Sequence, residues 1–321
     1  MAAMADTPTP EIVDLWQVRV HDLDELLTEE VQAWREQLDW DFRASADLVR
    51  RFVDVHALSG YALYAGAEVA GYSYLVCEEH KGLIGDLFLR APYRTAANEN
   101  TLLSAIVDRL MHTREVRRIE TQLMLGGPGQ NRALPVPSAA RSFVRNFMVV
   151  ETSAVKRLSP RAIPGIVIDN WREQRQDDAA HLISAAYRNH IDSEINDQYR
   201  SASGARRFLF NIVQYPGCGS FFAPASFVAL SRDTGRLCGV SLASLVAQHT
   251  GHITQICVAP AWKGKGVGYE LMRHSLASLA YAGANRASLT VTATNARAVQ
   301  LYESIGFRVR RQFPALVWEG F

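Results

Sequence analysis

Residues 60–76 read GYALYAGAEVAGYSYLV, two apolar runs around Gly-Ala-Glu, the pattern of an antiparallel hairpin. Residues 226–246, SFVALSRDTGRLCGVSLASLV, repeat that pattern around Asp-Thr-Gly. At a fixed offset of 168 the two halves pair Gly71 with Gly239, Ser73 with Ser241, Ala91 with Ala259, Pro92 with Pro260 and Leu103 with Leu271, without a gap. Each match falls at the same place in one order of elements: hairpin, third strand, Ala-Pro turn, amphipathic helix. The pattern predicts a duplicated fold.

The second copy begins with a strand near residues 166–171, followed by two helical passages, QDDAAHLISAAYRNHI and GARRFLFNIVQY, with the polar segment DSEINDQYRSAS between them. After its hairpin, GHITQICVAP reads as a buried strand ended by Pro260. From about Val267, Leu271, Met272, Leu276 and Leu279 form one helical stripe, stopped by Gly283. A strand, ASLTVTA, and a helix, NARAVQLYESI, lead through Gly306 to a final strand pair around Pro314. Strands alternate with helices in both halves, which predicts a mixed α/β architecture. KRLSPRAIPGI, residues 156–166, interrupts the pattern with two prolines and a glycine and reads as the linker, giving domains at 1–158 and 159–321.

A length of 321 residues with 48% hydrophobic content suits two packed cores. The net charge of +1, with both signs interspersed, removes the bulk electrostatic case for a nucleic-acid or membrane-surface binder, so any anion site must be local. Cys77, Cys218, Cys238 and Cys257 lie far apart with no Cys-x-x-Cys pair, which points away from disulfides and metal and towards a reducing cytoplasm. The opening MAAMADTPTPEIVD has no basic and apolar signal regions and reads as a short, poorly ordered leader; no run approaches a membrane span.

In APAWKGKGVGYEL, three glycines, Gly264, Gly266 and Gly268, alternate before the helix, with Lys263 and Lys265 among them. No Gly-Lys is followed by Ser or Thr, so a P-loop is excluded, and Tyr269 stands where a dinucleotide fingerprint needs its third glycine. Two readings remain: a surface turn with solvated lysines, or an anion cradle of backbone N–H groups at a helix N-terminus. Downstream, Asn295 opens a helix on which Tyr302 lies seven residues on, about 10 Å away on the same face.

The pair VAPAWKGKGVGYELM and NARAVQLYESIGF resembles motifs A and B of the GCN5-related N-acetyltransferase (GNAT) superfamily, over roughly residues 253–307. Lys263 stands where that family has Gln or Arg. The resemblance implies two tandem acetyltransferase domains, each a mixed, mostly antiparallel sheet flanked by helices. It also implies acetyl-CoA, or another acyl-CoA, as co-substrate, with no metal. The pyrophosphate would lie on the backbone of Lys263, Gly264, Lys265, Gly266, Val267 and Gly268. The pantetheine arm would run beside Ile256, Cys257 and Val258, with an N–H near Val258 on the thioester carbonyl. Asn295 would contact the cofactor arm and Tyr302 would protonate the departing thiolate.

The first half is a degenerate copy: APYRTAANENTLL has Asn98 and Asn100 where Gly266 and Gly268 stand, and aligning Phe147 with Phe307 puts Ser142 in the place of Tyr302. Direct transfer to a primary amine of a small molecule or peptide needs a base. His252, at the start of the cofactor strand, is the first candidate, ahead of Glu303 and Glu270, while Asp192, Glu194 and Asp197 could attract a cationic acceptor. The expected protein is a cytoplasmic N-acetyltransferase, monomeric or homodimeric. The alternative is a non-catalytic acyl-CoA sensor or scaffold. A nucleic-acid contact through the two loop lysines finds no support in the neutral charge balance.

Overall fold

A computed structural model describes residues 10–127, 133–215, 217 and 219–321, which fall into two compact units. Cys218 and residues 1–9 of the expected leader lie outside the described residues. Unit 1 comprises the chain to Leu38, Phe42–Phe143 and Phe313–Phe321; unit 2 comprises Asp39–Asp41 and Val144–Gln312.

Unit 1 is built from β1 (Glu11–Asp14), α1 (Asp24–Leu38), α2 (Arg43–Asp54), β2 (Ser59–Ala65), β3 (Glu68–Glu78), β4 (Lys81–Leu89), α3 (Ala96–Met111) and β5 (Arg118–Gln122). The tail of the expected leader is thus a strand, β1, paired antiparallel with β2 from Glu11 opposite Tyr64 to Asp14 opposite Tyr61. β2, β3 and β4 form an antiparallel meander, and β4 pairs parallel with β5. α3 places Leu103, Ile106, Val107 and Leu110 on one stripe, which packs on Ile84, Ile119 and Trp318.

The next strand, β6 (Ala140–Glu151), gives its residues from Val144 onward to unit 2. There follow β7 (Ile166–Asn170), α4 (Gln176–Ala186), α5 (Ile191–Ile195), α6 (Ala202–Gln214), β8 (Ser220–Phe221), β9 (Phe227–Ser231), β10 (Leu237–Ala247), β11 (Thr250–Val258), α7 (Val267–Tyr281), β12 (Arg286–Thr292), α8 (Ala296–Ile305) and β13 (Arg308–Glu319). Within unit 2 the strand order is β6-β12-β11-β10-β9-β7, all neighbours antiparallel except the parallel pair β11 and β12. Both units are mixed α/β with mostly antiparallel sheets, as expected.

Three expectations differ from the structure. The polar segment after α4 is not a plain loop but holds α5 and a short 3-10 turn, Asp197–Arg200, capped by His190 and Asn196 side chains. The final strand pair is one strand: β13 runs on through Pro314, whose carbonyl accepts from Leu123 N–H, and then pairs with β5. The two compact units are drawn differently from the division at residue 158, because the first half's last strand pairs with β12 in unit 2 and the second half's last residues pair with β5 in unit 1.

Candidate active site

The parallel pairing of β11 with β12 runs only from Thr250 opposite Arg286 to Ile253 opposite Leu289, although both strands continue, so the strands part beyond that point. β11 stays bonded to β10 as far as Val258 opposite Gly239. Ala259 donates its N–H to Cys238 on β10; by strand alternation Ile256 and Val258 turn their N–H and C=O groups to the parted side. Tyr187 donates its hydroxyl to the Ile256 carbonyl there, at 3.4 Å. The side chains of Ile256 and Val258 pack with Val267 and Leu271, while Cys257 packs on the α4 and α6 side. Burial pushes the Cys257 thiol up to about 12, so it is an inert thiol at neutral pH.

α7 is drawn close onto this strand pair. A Cβ on Gly239 would meet Leu271 at 2.9 Å and Val267 at 3.1 Å, so only glycine allows the approach, and Ser241 and Ser275 hydroxyls meet at 2.9 Å. The loop entering α7 turns on Gly264 (φ 78°) and Gly266 (φ 87°), left-handed backbone that L side chains rarely adopt. Gly266 is the cap of α7 and has no side chain to offer, leaving the first N–H groups of the helix bare. A Cβ on Gly264 would meet nothing within 4 Å, whereas one on Gly268 would press on Leu301 at 3.3 Å.

The loop lysines are tied back to neutral groups of the protein. Lys263 donates its ammonium to the Ala186 carbonyl at the end of α4, 3.1 Å away, fixing loop to helix, and the Lys265 ammonium sits 4.9 Å from the Trp262 ring centroid. Both partners are neutral, so the lysines keep their charge and add to the partial positive charge of the bare helix end.

Asn295 caps α8, its Oδ1 accepting from Ala298 N–H at 3.4 Å, and its Nδ2 lies 3.4 Å from His190 Nε2. Tyr302, farther along α8, is buried against Phe307 with ring centroids 6.0 Å apart. Burial first, then the Asp192 charge, raise its pKa, with Arg145 opposing, so the phenol keeps its proton at neutral pH.

Sequence reasoning missed the group beside Tyr302. Arg145 of β6, itself buried, donates to Asp192 Oδ1 at 2.8 Å, Thr292 Oγ1 at 2.9 Å and Thr290 Oγ1 at 3.2 Å, and Thr292 donates to Asp192. Asp192 is thus a buried, paired carboxylate rather than a free acceptor-steering charge, while Glu194 and Asp197 are half-buried. Tyr187 stacks on Tyr199 at 4.4 Å and meets His190 edge-on at 5.1 Å. Burial lowers the His190 pKa, opposed by Asp192.

The three candidate bases are placed apart from this group. His252 is buried between Trp40 and Phe147, with Nδ1 2.9 Å from Ser288 Oγ, and desolvation pushes its pKa down to about 3. It lies six residues, about 20 Å of extended chain, before Val258. These features make it a neutral core side chain and remove the physical support for a base there. Glu270 is held by Arg161 N–H and by Arg273, and Glu303 is exposed on α8. Among the described residues no group of three His, Cys, Asp or Glu is placed to hold a metal ion, and no helix is long and apolar enough to cross a membrane.

Two parallel strands thus part beside a bare helix N-terminus, with a tyrosine on the following helix. Residues 186–307 match the acetyltransferase (GNAT) family. The chain is 26% identical over 263 residues to mycothiol acetyltransferase of Thermobispora bispora, covering 76% of this chain and 78% of that protein. Two solved structures share the fold over nearly the whole chain. One is a GCN5-related N-acetyltransferase of Sphaerobacter thermophilus, with TM-score 0.65 and 16% identity, covering 96% of this chain and 95% of that one. The other is a tandem GNAT protein of the clavulanic acid biosynthesis pathway, with TM-score 0.61 and 14% identity, covering 97% and 98%.

Proposed function

We propose that the protein transfers the acetyl group of acetyl-CoA directly to a primary amine of a small molecule or peptide, with residues 159–321 carrying the chemistry and residues 1–158 a copy that has lost its cofactor site. The observation that carries this reading is the bare, glycine-turned N-terminus of α7 beside the parted end of β11. The residues present fit a CoA: the space a Cβ would fill on Gly264 is open, and the loop N–H groups have no side-chain cap.

Acetyl-CoA supplies an activated acyl group as its thioester. The backbone from Lys263 to Gly268 would hold the pyrophosphate, Ile256 to Val258 would align the pantetheine arm, and Asn295 would border it. Val258 N–H would donate to the acyl oxygen, a contact worth roughly 3 kcal/mol as negative charge develops. Tyr302, kept protonated by burial, would deliver its proton to the leaving sulfur. The Arg145–Asp192 pair holds the segment after α4 against β12 and so fixes one wall of the site.

The test is thiol release from acetyl-CoA against a panel of amines, polyamines, amino acids and peptides. Amine-dependent release is expected. CoA binding with no turnover on any amine would replace this reading with the sensor or scaffold.

A further inference from the structure

The linker residues 159–163 cross the first turn of α7. Tyr269 donates its hydroxyl to the Ser159 carbonyl at 3.0 Å, and Arg161 N–H donates to the Glu270 carboxylate. Arg161 Cδ and Ile163 Cδ1 each lie 3.9 Å from where a Cβ would stand on Gly266. The Arg161 guanidinium lies 3.9 Å over the Tyr269 ring centroid, at cation–π distance. Glu270 spends its charge on Arg273 at 2.9 Å, and among the described residues the Arg161 guanidinium forms no ion pair. The result is an exposed cation held over an aromatic platform at the mouth of the glycine loop, its donors turned to no protein anion.

We propose that Arg161 binds the ribose 3′-phosphate of CoA and so makes the site discriminate CoA from its 3′-dephospho form. The inference rests on the acetyl-CoA reading above. The backbone N–H groups of the loop already answer the pyrophosphate, whereas a phosphate monoester at the exposed nucleotide end is a dianion without a partner. A guanidinium offers it two parallel donors where an ammonium offers one point charge. The stacked ring fixes the guanidinium in place before the ligand arrives, which lowers the ordering cost of the contact.

Calorimetric titration of the full chain and of Arg161→Ala with CoA and with 3′-dephospho-CoA tests this. The wild type should bind CoA about tenfold more tightly than 3′-dephospho-CoA, and Arg161→Ala should weaken CoA about tenfold while leaving 3′-dephospho-CoA unchanged, closing the gap. Arg161→Lys should fall between the two and, because it retains a cation and the backbone contact, guards against a folding artefact. An equal loss for both ligands, or no loss for either, would overturn the assignment. A wild type that binds neither ligand would instead overturn the acetyl-CoA reading on which it stands.

Discussion

The loops that enter α3 in unit 1 and α7 in unit 2 follow the same Ala-Pro turn and meet opposite ends. Before α3, Thr95 Oγ1 accepts from Asn98 N–H at 3.2 Å, Asn98 Nδ2 donates to the Tyr93 carbonyl at 2.8 Å, and Glu29 accepts from Ala91 N–H at 3.3 Å. The donors an anion would need are already spent, one of them on a carboxylate. Before α7, the glycine cap leaves the first donors of the helix without a side-chain partner, and a guanidinium stands over the Tyr269 ring of its first turn. Unit 1 keeps the other half of the geometry, since β4 and β5 also part after Leu83 opposite Glu120. A parted strand pair is therefore the heritage of the fold, whereas the caps decide whether a phosphate can be held.

The largest effect that would sharpen this contrast is on catalysis. Among its described residues unit 1 has no helix in the place of α8 and so no counterpart of Tyr302, and Tyr302→Phe should lower kcat by about 10² to 10⁴ with CoA affinity unchanged in calorimetry. An unaltered kcat would remove the phenol from the mechanism.

Next come opposite pH signatures. In unit 1, Tyr72 donates to Glu30 at 2.8 Å and Tyr74 lies 3.5 Å from Asp86; burial raises both acids, Asp86 to about 6. A raised carboxyl pKa means the native state holds more protons, so this stabilisation is complete below pH 3.8 and is lost as pH rises towards about 6. His252 in unit 2 has the reverse sign: its folded pKa of about 3 costs stability as pH falls below 6.5. In urea titrations Asp86→Asn should gain on the wild type as pH rises from 4 to 6, and His252→Gln as pH falls from 6.5 to 4, each by up to about 1.4 kcal/mol per pH unit. Parallel slopes for the two variants would break the contrast.

The smallest effect is Thr95→Ala, which should cost about 1 kcal/mol in a urea melt and create no CoA binding, because Glu29 and Asn98 still occupy the turn.

Residues 253–307 were the most legible part of the chain. Glycines with positive φ, an Asn cap and a stripe of Leu and Met are local features, and α7, α8 and β11 stand where periodicity put them. Long-range facts were not readable. Nothing in NFMVVETSAV tells that it pairs with β12, nor that β13 continues to β5, because alternation fixes a strand's faces and not its partner. The first half's expected counterpart of α8 is also absent: Ser142 lies in β6, and among the described residues no α-helix stands between β5 and β6, so the comparison of Ser142 with Tyr302 fails. His252 looked available because a lone histidine at a strand end carries no sign of Trp40 and Phe147 closing over it. Arg161 escaped notice because two prolines and a glycine marked its neighbourhood as linker, and only folding lays it over Gly266.

The most direct measurement is a calorimetric titration of CoA into the wild type and Gly266→Val. One CoA per chain for the wild type, and no measurable binding once a β-branched side chain is forced on the left-handed turn, is the predicted result. Two CoA per chain, or normal affinity in a folded Gly266→Val, would contradict the claim that the bare end of α7 is the cofactor site and the capped end of α3 is not.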